Sequence, residues 1–254
     1  MSDPFSPAPI KSDVELKSAI EGLYRTFARY PLPPHVDGCP HCVSDKDHAL
    51  LYSRDLRDLG PAELERYAFK AMSTWGDEDD FRHFLPRIFE VIAVASESFP
   101  IDLEILFGKL AYGHWETWPA DERQAVTSFF DALWSDVLDR FPHEFTAEDC
   151  LCGIAQASDD MTRYLERWHI GQSLAHAKHF AEFVQDNLAW SSRHGWSLNG
   201  PFWRRRPVPA RQMVDWLRDP VRKTELEQAF FHLAPEGEDA ALLSNAIDEL
   251  TRLS

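Results

Sequence analysis

Between His35 and Cys42 the chain reads His-Val-Asp-Gly-Cys-Pro-His-Cys, its densest stretch of soft metal ligands. Zinc needs thiolate and imidazole groups converging on a tetrahedron, and two cysteines separated by two residues on a tight turn supply half of that. Gly38 ahead of Cys39, and Pro40 between the cysteines, suit such a knuckle. The expected ligands are Cys39, Cys42, His35 and His41, and the expected ion is zinc. His48 lies nearby, and His83 is a donor that a fold could bring in. Cys150 and Cys152 do not complete the set, because on a helix their side chains would point about 200° apart and could not easily reach one ion. The plain alternative is a proline-shaped turn whose thiols are partly buried and unligated.

Cys39-Pro-His-Cys42 also resembles the active-site tetrapeptide of periplasmic thiol–disulfide oxidoreductases of the thioredoxin fold. In that family the first cysteine sits at a helix N-terminus after a strand, and the intervening histidine helps hold the thiolate. The resemblance would make Cys39 the nucleophile and Cys42 the resolving thiol. It covers four residues, without the βαβ pattern or the secretory signal that accompany the family.

Three further features carry chemistry or mimic it. His176, His179 and Glu182 are spaced by three, a spacing that shares one helical stripe and suits either a metal face or a solvated polar face. His169 lies one helix earlier. Trp203-Arg-Arg-Arg206 is a concentrated basic run, suited to an anion, a phosphate or an acidic peptide, or to pairing with the chain's own acids. The acids Asp77 to Asp80 sit where the positive end of a helix dipole favours them, which explains them without a metal. No Gly-x-Ser-x-Gly elbow, His-Glu-x-x-His, phosphate-binding loop or dinucleotide fingerprint occurs.

Composition narrows the class. The 254 residues are 44% hydrophobic, enough for a substantial core. No apolar run approaches the roughly 18 residues of a membrane span, and the N-terminus has neither a basic start nor an apolar core, so a cytoplasmic protein is expected. Lys plus Arg is 26 and Asp plus Glu is 42, a net charge of −16. That charge repels nucleic acid and suits a basic protein partner. Nine Trp and seventeen Phe serve either inter-helix core or, where Trp115, Trp118 and Trp203 lie beside loops, a recognition groove.

The elements that must position these groups are helical throughout. Residues 1–11, with Pro4, Pro7 and Pro9, read as a flexible arm before a single helical domain over 12–254. Helix starts are predicted at Ser12, Ser44, Pro61, Asp77, Asp102, Pro119, Thr146, Asp159 or Asp160, and Ser173. The helix from Pro61 is expected to reach Trp75. The strongest pattern follows, with Phe81, Phe84, Leu85, Ile88, Val91, Ile92 and Ala95 on one arc and Arg82, His83, Arg87 and Glu90 opposite. Pro86 predicts a kink or a break there. Residues 195–209 read as a long loop, and 210–254 as C-terminal capping helices near 210–217, 221–233 and 238–250. No strand is expected. The expected class is all-α, with paired antiparallel helices in an irregular HEAT-like array or a helical bundle.

Gly38 to Cys42, Trp75 to Arg87 and the Trp115–Trp134 segment (Trp-Glu-Thr-Trp-Pro-Ala-Asp-Glu-Arg…Ala-Leu-Trp) resemble segments of a group of bacterial all-helical proteins with no assigned activity. The resemblance implies a bacterial, cytoplasmic, all-helical protein and no catalytic residues. The functional expectation is a non-catalytic protein-interaction module for a basic partner, in the manner of an immunity or antitoxin protein. The alternative is a metal- or thiol-dependent enzyme using Cys39 and Cys42.

Overall fold

The structure is a computed structural model that describes residues 11–94, 99–193, 195–233 and 237–253. Residues 1–10 of the expected arm, and Ala95, lie outside them. The fold is all-α, with one two-stranded exception, and the chain divides into two compact units. The first comprises Met1–Phe99 and Thr117–Asp136; the second comprises Pro100–Glu116 and Val137–Ser254.

In the first unit, helices α1 (Lys11–Phe27), α2 (Asp45–Leu51), α3 (Pro61–Lys70) and α4 (Glu78–Val94) are joined by most of α6 (Ala120–Asp139). α1 packs on α4, burying Leu16, Ile20, Leu23 and Phe27 with the expected α4 arc. α1 is already helical at Lys11, so Ser12 is not its cap; it is buried inside the first turn. α2 starts as expected, with a reciprocal capping box between Ser44 and Asp47.

The start of α4 follows its sequence closely. Asp77 Oδ1 accepts from the N–H groups of Asp79 and Asp80, and Asp80 Oδ2 accepts from the Asp77 N–H. These carboxylates occupy orphan donors at the positive end of the helix. α4 runs unbroken through the buried Pro86, so the two-helix alternative does not hold. Nor is the polar side of α4 simply solvated. Arg82 lies over the Trp118 ring, 4.5 Å from its centroid, and its Nε is 3.5 Å from the fully buried Glu122. The Tyr30 hydroxyl donates to Glu122 at 2.7 Å.

α3 stops at Lys70, short of the expected Trp75. The chain turns back with Met72 at φ +61° and Gly76 at φ +74°. A Cβ on Gly76 would lie 2.9 Å from Val36 and Asp80 side-chain atoms, so glycine satisfies both the turn and the contact.

The second unit contains α5 (Leu103–Tyr112), α7 (Ala147–Ala157), α8 (Thr162–Arg167) and α9 (Leu174–Asn187). The hairpin β1 (Leu188–Ser191) and β2 (Gly195–Leu198) follows, then α10 (Pro201–Arg205), α11 (Pro207–Leu217), α12 (Pro220–Phe231) and α13 (Glu238–Leu253). α7 carries the expected Thr146–Asp149 capping box, and Ser173 caps α9. The expected loop over 195–209 is corrected: it holds β2, α10 and the start of α11. The hairpin pairs Trp190 with Trp196. Four residues per strand are too few for alternation to register as a pattern. α5 packs on α7 and α9 on α13, pairings that skip sequence neighbours as a bundle does and a neighbour-only stack does not.

α5 and α7 approach closely at Gly153, where an added Cβ would fall 2.8 Å from the Leu103 Cβ. At an open helical site, Gly→Ala stabilises by about 1 kcal/mol. Here overpacking reverses the sign, and Gly153→Ala is expected to destabilise by about 1–3 kcal/mol in urea unfolding. A variant as stable as the parent would contradict this packing.

Candidate functional site

The His35–Cys42 segment is pinned to the turn that precedes α4. The Cys39 N–H donates to the Thr74 carbonyl at 2.9 Å, and the Gly76 N–H donates to the Asp37 carbonyl at 2.7 Å. Between them Gly38 bridges Trp75 in antiparallel fashion. Within the knuckle, the N–H groups of Cys42 and Val43 both donate to the Cys39 carbonyl, at 2.8 and 2.9 Å. This is a tight turn that places the two half-buried free thiols side by side. The Cys39 thiol is held below its ordinary range, first by the His41 amide, then by the Cys42 thiol and amide, with Lys70 adding a favourable charge. N–H groups aimed at a sulfur favour its thiolate, the form that binds metal and attacks electrophiles.

The histidines stand differently. His35 and His41 are exposed. The His35 ring stacks on His48 at 4.6 Å, and His48 meets Trp75 edge-on at 5.2 Å. His48 Nδ1 is buried without a hydrogen-bond partner. The Nδ1 of His83 is 2.8 Å from the Tyr30 carbonyl, which occupies it elsewhere. Thus the structure brings Cys39 and Cys42 together, and among the described residues it does not bring His35 or His41 into a converged three-ligand set with them.

A different cluster does converge. Glu104 in the first turn of α5, and Glu148 and Cys152 one turn apart on α7, place ligand atoms within 4.8 Å of one another. Trp203 Nε1 donates to Glu148 Oε1 at 3.1 Å. Burial pushes the Glu104 carboxyl up to about 7, and the negative charges of Glu148, Asp149 and Asp102 push the same way. Burial also raises Glu148 and, strongly, Cys152. Two carboxylates and a thiolate are a donor set that zinc accepts. Burial keeps the Cys152 thiol protonated, and Glu104 holds its proton below about pH 7, so the cluster carries less charge than its composition suggests. Sequence reading separated Cys150 from Cys152 and missed this grouping; the i, i+4 spacing of Glu148 and Cys152 was the available signal.

The remaining candidates are mostly buried or paired, with Arg204 and Arg205 the exceptions. His176 and His179 are 3% and 1% exposed, not a solvated stripe. His179 Nε2 is 2.8 Å from the Arg140 carbonyl and must carry the proton, since a carbonyl only accepts. Burial lowers both histidines, which keeps them neutral near pH 7. Trp115 and Trp118 are buried, and Trp115 donates to the Ala157 carbonyl at 2.8 Å. In the basic run, Trp203 is buried, Arg206 pairs with Asp159 at 2.8 Å, and Arg204 and Arg205 are exposed. No helix of the described residues is long and apolar enough to cross a membrane.

No protein family, curated protein or solved structure matches the chain significantly.

Glu104 yields a pH dependence. Its carboxyl keeps its proton to higher pH in the folded chain than in the unfolded one, where the ordinary value is 4.5. Its contribution to stability is therefore full below about pH 4.5 and is lost as pH rises through about 7. Glu104→Gln removes the ionisation, so the variant should gain on the parent between pH 5 and 8 by up to about 3 kcal/mol. Parallel stability–pH curves for the two proteins would contradict the assignment.

Proposed function

We propose that this chain is a non-catalytic interaction protein whose first unit is clasped by a zinc site at Cys39 and Cys42. The observation that carries the reading is the pinned knuckle, in which the Cys42 and Val43 N–H groups close a tight turn on the Cys39 carbonyl, with both cysteines free and the Cys39 thiol held below its ordinary range. Zinc binding requires both thiols to lose their protons, and a sulfur already favoured as thiolate lowers that cost. Two thiolates are half a tetrahedron. The proposed source of the other ligands is the imidazole pair His35 and His48, stacked at 4.6 Å, with His48 set against the buried Trp75. The orphaned Nδ1 of His48 supports this choice. His41 is exposed on the same turn as a further donor.

The interaction part of the proposal rests on charge. The chain carries −16, and Asp37, Asp45, Asp77 and Asp79 are exposed around the knuckle and the α4 start. A basic protein partner complements that surface, and an immunity- or antitoxin-like role is its concrete form. A thiol-dependent reaction is the second reading, favoured by the lowered Cys39 thiol, which alone would serve disulfide exchange.

Elemental analysis with a native thiol count separates the two. The proposal expects about one zinc per chain, with Cys39 and Cys42 unreactive until a chelator is added. Cys39→Ser and Cys42→Ser should each lose the metal and lower the unfolding temperature. Metal-free protein with two rapidly reactive thiols, and variants as stable as the parent, would leave the thiol reading in its place. For the partner, retention of a basic protein from the native host should weaken between low and moderate salt; salt-independent retention would contradict the charge argument.

A further inference from the structure

In the second unit a groove of about 550 Å³ lies between β2, α10 and α11. Its charge is opposite to that of the chain. Arg204 of α10, and Arg211 and Arg218 of α11 and its C-terminal cap, line it, against the single acid Asp215. Arg211 and Arg218 are seven residues apart, two helical turns, so they share one side of α11 about 10 Å apart along its axis.

Three other arginines of this unit are closely paired, while the exposed Arg193 and Arg205 show no ion pair among the described residues. Arg206 meets Asp159 at 2.8 Å, Arg222 meets Glu225 at 2.9 Å, and Arg252 meets Glu249 at 2.5 Å. The groove arginines are not. Asp215 Oδ2 stands 3.7 Å from Arg211 Nε, both side chains exposed. Arg204 Nε donates to the Gly200 carbonyl at 3.2 Å, which orients the guanidinium, and its terminal nitrogens meet no acid among the described residues. Arg218 has no acid partner among the described residues. In a chain with 42 acids and 26 bases, three under-neutralised arginines converging on one concavity are the opposite of what composition favours. Low-dielectric walls focus their field into the groove.

The half-buried Trp196 of β2 supplies an aromatic wall, and Val214 an apolar one. The volume falls within the roughly 300–1,000 Å³ range of small-molecule sites. A guanidinium fork matches phosphate oxygens in bidentate fashion, and an indole takes a flat ring. We infer that this groove binds a small organic phosphate of nucleotide size, its phosphates on Arg204, Arg211 and Arg218 and its ring against Trp196. The inference is independent of the Cys39–Cys42 site, which lies in the other unit.

Calorimetric titration of the full chain with ATP, tripolyphosphate and citrate, at low ionic strength, tests it. One equivalent of ATP should bind, more tightly than either ring-free anion. Arg211→Gln combined with Arg218→Gln should weaken ATP about 100-fold, at roughly tenfold per lost charge-assisted contact. Both positions are exposed and should tolerate this without loss of helical circular dichroism. Trp196→Ala should weaken ATP while leaving tripolyphosphate unchanged. Absence of ATP binding at millimolar concentration, or binding that ignores the double arginine substitution, would overturn the site. Citrate or tripolyphosphate binding as tightly as ATP would overturn the ligand class.

Discussion

Burial of Trp75 governs the first unit. Its indole is 1% exposed and meets His48 and Tyr67 edge-on at 5.2 and 5.3 Å. Tyr67 in turn lies 4.6 Å from Phe84 on α4. The backbone around Trp75 is equally engaged, since its carbonyl accepts from Met72 and its strand-like bridge holds Gly38. One side chain therefore ties together the end of α3, the thiol knuckle and the entry to α4. Its Nε1 is buried without a partner, an omission worth about 1–3 kcal/mol that the apolar burial of the ring must exceed.

The chain handles buried acid in two ways. Glu122, fully buried in the first unit, keeps the Tyr30 hydroxyl at 2.7 Å and guanidinium groups from Arg82 and Arg29 at 3.5 and 3.6 Å. Glu104, in the second, shows no such cation among the described residues, and burial pushes its carboxyl up to about 7, so it holds its proton below that pH. The first arrangement draws an ion pair into the core; the second makes that part of the core sensitive to pH. Both occur in a protein whose surplus of acid already favours dispersal of negative charge over its surface.

The local signals were legible where side chain and backbone agree within a few residues. The caps at Ser44, Asp77, Thr146 and Ser173 stand where capping chemistry places them, and the α4 arc faces inward as its period requires. Signals that depend on partners distant in sequence were not. α3 looked continuous to Trp75 because nothing local reveals that Gly38 and Asp37 take up the turn. The histidine stripe on α9 suits a metal face or a solvated face by spacing alone, because the acceptor that fixes His179, the Arg140 carbonyl, lies 39 residues away. At the candidate site the Cys39–Cys42 pair was visible as a motif, since its turn is local. The Glu104–Glu148–Cys152 grouping needed the α5–α7 contact, since the i, i+4 spacing of Glu148 and Cys152 marks only its α7 half.

X-ray absorption at the zinc edge of the protein as isolated decides whether Cys39 and Cys42 hold the ion. Two sulfur scatterers near 2.3 Å are expected, with nitrogen or oxygen completing the shell, and the sulfur shell should be lost in Cys39→Ser combined with Cys42→Ser. Zinc surrounded by nitrogen and oxygen alone, or a sulfur shell that survives the double substitution, would contradict it.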